Sequence, residues 1–246
     1  TIADLERPTS GSLTINGQTP EVARRARAYG YVFQAPALYP WRTVEKNVAL
    51  PLEIMGYGAS QQAERVKRTM DLVNLSGFEK KYPWQLSGGM QQRASIARAL
   101  AFDADLLLMD EPFGALDPLI RRDMQAELLT LQKTLKKTIV FITHDLNEAL
   151  LLGNRIAIMK DGRIVQTGTA QEIVTTPADD YVAAFVADID RGRVFTADDV
   201  ASDAITIQLR DTPVREALRL MEKHGSHALY VMDGKRVAGV VTYRDL

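Results

Sequence analysis

The run Leu106-Leu107-Leu108-Met109 is apolar at every position and closes on Asp110-Glu111-Pro112. Such a run leaves no polar face, so a strand there is buried on both sides, as in a parallel sheet covered by helices. The two carboxylates then stand at the carboxyl edge of that sheet, where α/β folds take their ligands. About twenty residues earlier, Leu86-Ser87-Gly88-Gly89-Met90-Gln91-Gln92-Arg93 reads as a loop of small residues running into a helix. Backbone N–H groups and a hydroxyl at such a helix entry suit an anion. A glycine-rich helix entry followed by strand-Asp-Glu is a pair suited to handling ATP. The phosphate cradle that usually accompanies it, G-x-x-x-x-G-K-S/T, does not occur in the sequence.

The rest of the chain supports an α/β domain with a largely parallel sheet, because strand and helix patterns alternate. Residues 1–5 read as the tail of a helix, and residues 12–15 alternate like a strand before the Asn16-Gly17 turn. Residues 29–33 form another strand, closing at Gln34. A loop punctuated by proline follows over residues 35–42, with Tyr39 and Trp41 exposed. Helical patterns cover 44–81, broken at Gly56-Tyr57-Gly58, with Ser60 as N-cap of the second helix. Helices are expected over 90–102, 118–137 and 147–152, a second buried strand over 138–143, and a hairpin through Asp161-Gly162. After Thr176-Pro177 a helical linker over 179–195 leads to a second unit. Its strand 205–208, helix 213–224 and strands 228–233 and 237–242 are followed by a chain end that starts to look helical.

Composition narrows the alternatives. The 246 residues carry a formal net charge of -1, which offers no bulk electrostatic case for nucleic acid or an anionic membrane surface. Zero cysteines exclude disulfides and cysteine-based zinc or redox sites, in keeping with a reducing compartment. No apolar run approaches the roughly 18–20 residues that span a bilayer. The first residues form no signal peptide, and with no starting Met the chain looks like an internal cut.

Each candidate site residue has a plain structural reading beside the functional one. Ser87 could simply cap its helix, with Gly88 and Gly89 as turn residues. Asp110 could hold Mg²⁺ through water and Glu111 polarise an attacking water as general base, or both could form an acidic turn before Pro112. His144, after the next strand, could contact a γ-phosphate or orient the water, or be structural. Gln34 could reach Mg²⁺ and the water, or be a polar loop residue. Gly114 to Asp117, before Pro118, could be a turn with an N-cap.

Taken in order, these segments resemble the nucleotide-binding subunit of an ATP-binding cassette (ABC) transporter. Val32-Phe33-Gln34 resembles the Q-loop and residues 86–92 the family signature. Residues 107–111 resemble Walker B with its catalytic glutamate, residues 114–117 the D-loop with Gly114 where serine is usual, and Thr143-His144-Asp145 the switch histidine. The resemblance covers residues 1–171. It implies a P-loop NTPase-like cassette with a mostly parallel sheet and a helical signature subdomain over about residues 44–102, the whole domain spanning 1–176. Residues 8–17 are similar to the segment that follows the P-loop helix in the family. That places Thr1 a few residues past the cradle, so that this stretch alone is expected to hydrolyse ATP negligibly.

The resemblance further implies a homodimer in which two ATP molecules are sandwiched head to tail. Ser87, Gly88 and Gly89 would then serve the partner's ATP. Gln34, Asp110, Glu111 and His144 would serve the chain's own ATP and its Mg²⁺, with Gln34 and Asp110 holding the metal through water. Asp117 would pack at the dimer interface, and residues 35–47 would face a transmembrane permease, itself fed by a periplasmic or extracellular substrate-binding protein.

Past a linker at 177–196, residues 197–246 resemble a partial cystathionine-β-synthase (CBS) motif of α+β type. Gly239-Val240-Val241-Thr242-Tyr243-Arg244-Asp245 matches its G-x-x-T-x-x-D pattern. There Thr242 and Asp245 would hold the ribose or phosphate of an adenine nucleotide, or else form a strand end and a helix cap. A cassette with a CBS tail is similar to ATPases that power importers of glycine betaine, proline and other quaternary amines, peripheral on the cytoplasmic side of the bacterial or archaeal cell membrane. Residues 188–195 resemble their linker, whereas residues 36–52 look more like nitrate, sulfonate and taurine importers. A regulatory module that senses nucleotides without hydrolysing them is the reading from another class.

Overall fold

The computed structural model describes residues 2–189, 192, 194, 195 and 204–246. The chain divides into two compact units, Thr1–Asp190 and Arg191–Leu246.

In the first unit, a short helix α1 (Pro20–Arg25) precedes strand β1 (Tyr29–Val32). Helices α2 (Val44–Ile54), α3 (Ala59–Leu72) and α4 (Gly88–Leu100) follow, then strand β2 (Leu106–Asp110). Next come α5 (Pro118–Leu135), β3 (Thr138–Ile142), α6 (Leu146–Leu152), the hairpin of β4 (Ile156–Lys160) and β5 (Arg163–Gly168), α7 (Ala170–Thr175) and α8 (Asp180–Val186). Strands β1, β2 and β3 form a parallel sheet in that order, and β4–β5 form a separate antiparallel pair.

The core gathers where α4 packs on α2, α3, α5 and β1. Ala94, Ala97 and Leu100 of α4 meet Val32, Leu107 and Met109 of the sheet and Val48 and Leu52 of α2, all buried. Small residues on α4 let β1 come close. A Cβ on Gly30 would lie 2.5 Å from the Ala99 carbonyl oxygen, so only glycine fits that crossing. The burial of this apolar set is what makes α2 to α4 stable helices, since isolated segments of such length are marginal in water.

Four expectations from the sequence are corrected. Residues 2–6 are turns and bends, with Asp4 at φ 51°. Tertiary ties hold them there, since the Tyr29 hydroxyl donates to the Ala3 carbonyl at 2.8 Å and Arg24 pairs with Asp4 at 2.9 Å. Residues 12–15 form no strand beyond an isolated bridge between Ile15 and Gln18. A strand needs a hydrogen-bonded neighbour, and alternation alone cannot supply one. The cap of α3 is Gly58, whose N–H donates to Gln61 Oε1 at 3.3 Å, and Ser60 sits inside the first turn. Finally, β3 is half-buried to exposed: an apolar run makes burial favourable but does not say how much of it the neighbouring elements cover.

Buried Asn47 on α2 organises the loop that precedes it. Its Nδ2 donates to the carbonyls of Tyr39, Arg42 and Thr43 at 3.0–3.1 Å, and its Oδ1 accepts from Tyr39 N at 2.7 Å. Asn47→Ala is expected to lower stability by about 2–3 kcal/mol, since several polar backbone groups lose their partner at once. Urea unfolding followed by tryptophan fluorescence measures this, because Trp41 and Trp84 both lie in the first unit.

In the second unit, β6 (Thr206–Gln208), β7 (Ala228–Asp233) and β8 (Arg236–Thr242) form one sheet, with helix α9 (Val214–His224) between β6 and β7. The β6–β7 pair is parallel and β7–β8 antiparallel. Ala217 and Met221 of α9 pack on Leu229 of β7 as a small core. The expected helical linker over 179–195 contains α8, which ends at Val186; residues 187 and 188 turn and 189 and 195 are irregular, while 190, 191 and 193 lie outside the described residues.

Candidate ATP site and family membership

The parallel register sets the site. Val32 pairs with Met109, Met109 with Phe141, and Asp110 with Ile142. Consequently Gln34, Glu111 and His144 leave the sheet at the same carboxyl edge. They meet there: Gln34 Nε2 donates to Glu111 Oε2 at 3.1 Å, and His144 Nδ1 lies 3.2 Å from the same oxygen. With its proton on Nδ1 the imidazole donates to the carboxylate, which leaves Nε2 free for a second partner. The His144 side chain is 72% exposed, so that partner has access.

Glu111 adopts φ 44°, a left-handed conformation that a non-glycine residue seldom holds, just past the end of β2. Its own N–H continues the sheet ladder by donating to the Ile142 carbonyl at 2.9 Å. The left-handed turn is therefore fixed on both sides, by the ladder and by the two side-chain contacts. Strain of this kind persists only where the surroundings enforce it. Gly114 closes the turn; a Cβ there would lie 3.4 Å from Gln34 Nε2 and 3.6 Å from Glu111 Oε2. Both are ordinary contact distances, so space at this turn does not by itself require glycine.

Asp110 stands beside them, its Oδ2 accepting from the Tyr31 hydroxyl at 3.2 Å. Burial, with the neighbouring Asp110 carboxylate, pushes the Tyr31 phenol above its ordinary value, so it stays a donor. Sequence reading missed this partner. Tyr31 was recognisable as a strand residue, but its reach to Asp110 depends on the β1–β2 pairing. A carboxylate held by one donor at the carboxyl edge of the sheet fits a Mg²⁺ that takes one or two protein groups and completes its shell with water and phosphate oxygens.

The signature residues lie at the start of α4. Ser87 is its N-cap, accepting from Met90 N at 3.3 Å. The N–H groups of Gly88 and Gly89 precede the first intrahelical bond, from Gln91 N to Ser87 O, and are available to an anion. The two glycines differ. A Cβ on Gly89 would fall 2.6 Å from Ile120 Cγ2 of α5, whereas one on Gly88 meets only Leu116 Cδ2 at 3.8 Å. Packing alone accounts for Gly89, and Gly88 is the one left unexplained by packing.

Asp117 caps α5, its Oδ1 accepting from Leu119 N and Ile120 N at 3.1 Å each. The turn reading of residues 114–117 is thus realised locally.

Helix α4 also grips the chain on both sides of Gln34, a link not legible beforehand. Buried Gln92 donates to the Phe33 carbonyl at 3.3 Å, and Arg98 to the Ala37 and Pro36 carbonyls at 2.6 and 2.9 Å. Burial lowers the Arg98 guanidinium from its usual value, opposed by Tyr39. Tyr39 and Trp41, with ring centroids 5.0 Å apart, stay exposed at 42% and 71%. Beside them lies a cavity of about 410 Å³ lined by Tyr31, Phe33, Tyr39, Leu50 and Ile54, among others.

In the second unit, Asp245 Oδ2 accepts from Thr242 N at 2.8 Å and Thr242 Oγ1 at 2.7 Å. Those two bonds hold the Asp245 carboxyl below the usual range. The structure thus brings this pair together in the turn that follows β8.

The family model described as ABC transporter matches residues 1–114, and that described as CBS domain matches residues 197–246. The glycine betaine transport ATP-binding protein OpuAA of Bacillus subtilis is 46% identical over 98% of this chain and 59% of its own length. The glycine betaine/proline betaine transport system ATP-binding protein ProV of Salmonella typhimurium is 43% identical over 98% of this chain and 63% of its own. The trimethylamine N-oxide transport system ATP-binding protein TmoW of Ruegeria pomeroyi is 42% identical over 96% of this chain and 73% of its own. The chain thus spans about three-fifths of the length of the two betaine relatives. Among solved structures, cbiO1 from Clostridium perfringens, part of the ABC transporter complex cbiONQ, superposes with a TM-score of 0.65 over 78% of each chain at 24% identity, a likeness of fold. With Gln34, Glu111 and His144 converging at one sheet edge and relatives this similar, the chain belongs to the ATP-binding subunit family of ABC transporters, with a CBS segment at residues 197–246.

Proposed function

We propose that this chain is the ATP-hydrolysing part of an importer for glycine betaine, proline and related osmoprotectants, regulated through its CBS segment. The observation that carries the ATPase reading is the Glu111 carboxylate, pinned between Gln34 and His144 at the carboxyl edge of the sheet. The names of the relatives support the substrate class. Substrate itself would be read by the permease and the substrate-binding protein.

In this reading Glu111 takes the proton of a water attacking the γ-phosphorus in line, while the bond from that phosphorus to the bridging oxygen of ADP breaks. Gln34 orients the carboxylate and the water. His144, tethered through Nδ1, directs its other nitrogen at the γ-phosphate and steadies the charge that develops there. Asp110 and Gln34 would hold Mg²⁺ through water, and that ion, when bound, offsets phosphate charge. Ser87 and the Gly88 and Gly89 N–H groups would face the ATP of a second identical subunit, with Asp117 at the same interface. Residues 35–47, with exposed Tyr39 and Trp41 beside the cavity, would take the permease, placing the subunit on the cytoplasmic face of the membrane. None of the helices among the described residues is long and apolar enough to cross it. Residues 1–176 would be the ATPase domain and 197–246 the CBS part, where Thr242 and Asp245 would receive an adenine nucleotide.

Uptake of labelled glycine betaine, taurine and nitrate by right-side-out vesicles that carry the full transporter and enclose ATP tests the proposal. Betaine uptake driven by ATP on the cytoplasmic side is expected. Uptake of taurine or nitrate alone would move the chain to the other importer class, and ATP binding without hydrolysis in the full-length protein would favour the nucleotide-sensing module.

A further inference from the structure

Glu148 is a carboxylate 5% exposed that the chemistry above does not use. It sits in the first turn of α6, and both its oxygens are engaged. Oε1 accepts from Gln125 Nε2 at 2.9 Å, and Oε2 from Thr143 Oγ1 at 2.7 Å. Among the described residues no cation pairs with it; its partners are an amide and a hydroxyl. Burying a carboxylate against neutral donors is costly, and an apolar or amide side chain of similar size would stabilise the fold at least as well. Stability therefore does not account for a charge at this place.

Its neighbours indicate what the charge is for. Thr143 Oγ1, while donating to Glu148, accepts from Asp145 N at 3.0 Å. His144 lies between the two residues so joined, and its backbone is pinned on either side. Gln125 belongs to α5, and one turn earlier on the same face Arg121 makes a second set of links. Its Nη2 donates to the Gly114 and Leu116 carbonyls at 3.4 and 3.2 Å, and its Nη1 lies 3.8 Å from Asp145 Oδ2. One helix face thus holds the turn after Glu111 and the loop bearing His144.

We infer that Glu148 is a positioning residue for His144, acting through Thr143, and that with Gln125 it fixes the histidine loop to α5. The inference rests on the proposed role of His144 in ATP hydrolysis. A charged acceptor makes the two hydrogen bonds stronger than a neutral one would. The result is an imidazole held in register with Glu111 although its own side chain is largely in solvent.

The test compares Thr143→Val, which keeps the shape and removes the hydroxyl, with Thr143→Ser, which keeps the hydroxyl. In the full-length ATPase, T143V is expected to lower kcat about tenfold with KM for ATP near that of the parent, and to lower the thermal midpoint because buried Glu148 loses a donor; T143S is expected to restore both. Independently of turnover, ¹⁵N-histidine correlation spectra of this chain follow its three imidazoles. The His144 signal should move in T143V and return in T143S, while His224 and His227 of the second unit stay put. An unmoved His144 signal in T143V overturns the inference, as does kcat within twofold of the parent. If the parent itself fails to hydrolyse ATP, the proposed function fails, and the spectra alone decide the placement of His144.

Discussion

Replacing Glu111 with glutamine is expected to slow ATP hydrolysis by the full-length protein by about a hundredfold to ten-thousandfold, the usual contribution of a positioned general base. The substitution is nearly isosteric. The amide oxygen can still accept from Gln34 or His144, so the turn at Glu111 should survive with its left-handed backbone. What is lost is the capacity to take a proton from water. ATP binding should persist, and ATP should accumulate unhydrolysed in a closed dimer. Single-turnover assays, with gel filtration in the presence of ATP, separate the two effects. Hydrolysis near the parental rate would remove Glu111 from the role assigned to it, and loss of ATP binding would mean that the carboxylate serves binding and not chemistry.

The second large effect concerns stability. Phe113 is fully buried two residues after Glu111, its ring centroid 5.8 Å from that of Phe141 on β3 at a tilt of 42°. It anchors the turn between β2 and α5 in the core. Truncation to alanine leaves a cavity that the packed sheet and helices cannot close, at a cost of about 3–5 kcal/mol. Urea unfolding monitored by tryptophan fluorescence measures it. A loss under about 1 kcal/mol would mean that the site relaxes freely and that Phe113 is no anchor. Since Phe113 supports the segment that carries Glu111, the variant should also lose turnover beyond its loss of folded protein.

The residues of the candidate site were legible in the chain because they carry their own local signals. An apolar run ending in Asp110-Glu111 suits a buried strand with carboxylates at its edge, and β2 is one. Ser87 before two glycines and a helical pattern suits a helix cap, and it is one. The second unit read well for the same reason, since turn residues and short alternating strands state their own period, and strand 228–233 matches the structure residue for residue. Local pattern failed where a neighbour was needed. Residues 12–15 alternate as a strand would and have no partner strand, and residues 2–6 are bent by contacts to Arg24 and Tyr29.

The sequence by itself determined the kinds of groups present and which of them end a strand or begin a helix, because those depend on side-chain period and backbone propensity within a few residues. Only the tertiary structure decided which groups meet. The parallel pairing of β1, β2 and β3 puts Gln34, Glu111 and His144 on one oxygen atom, and the packing of α5 against α4 and α6 makes Gly89 obligatory and seats Glu148 beneath Thr143. Register and helix packing arise from long-range burial of apolar area, shared by segments as far as 110 residues apart, counting from Gln34 to His144 (144 − 34). No local reading of the chain contains that information.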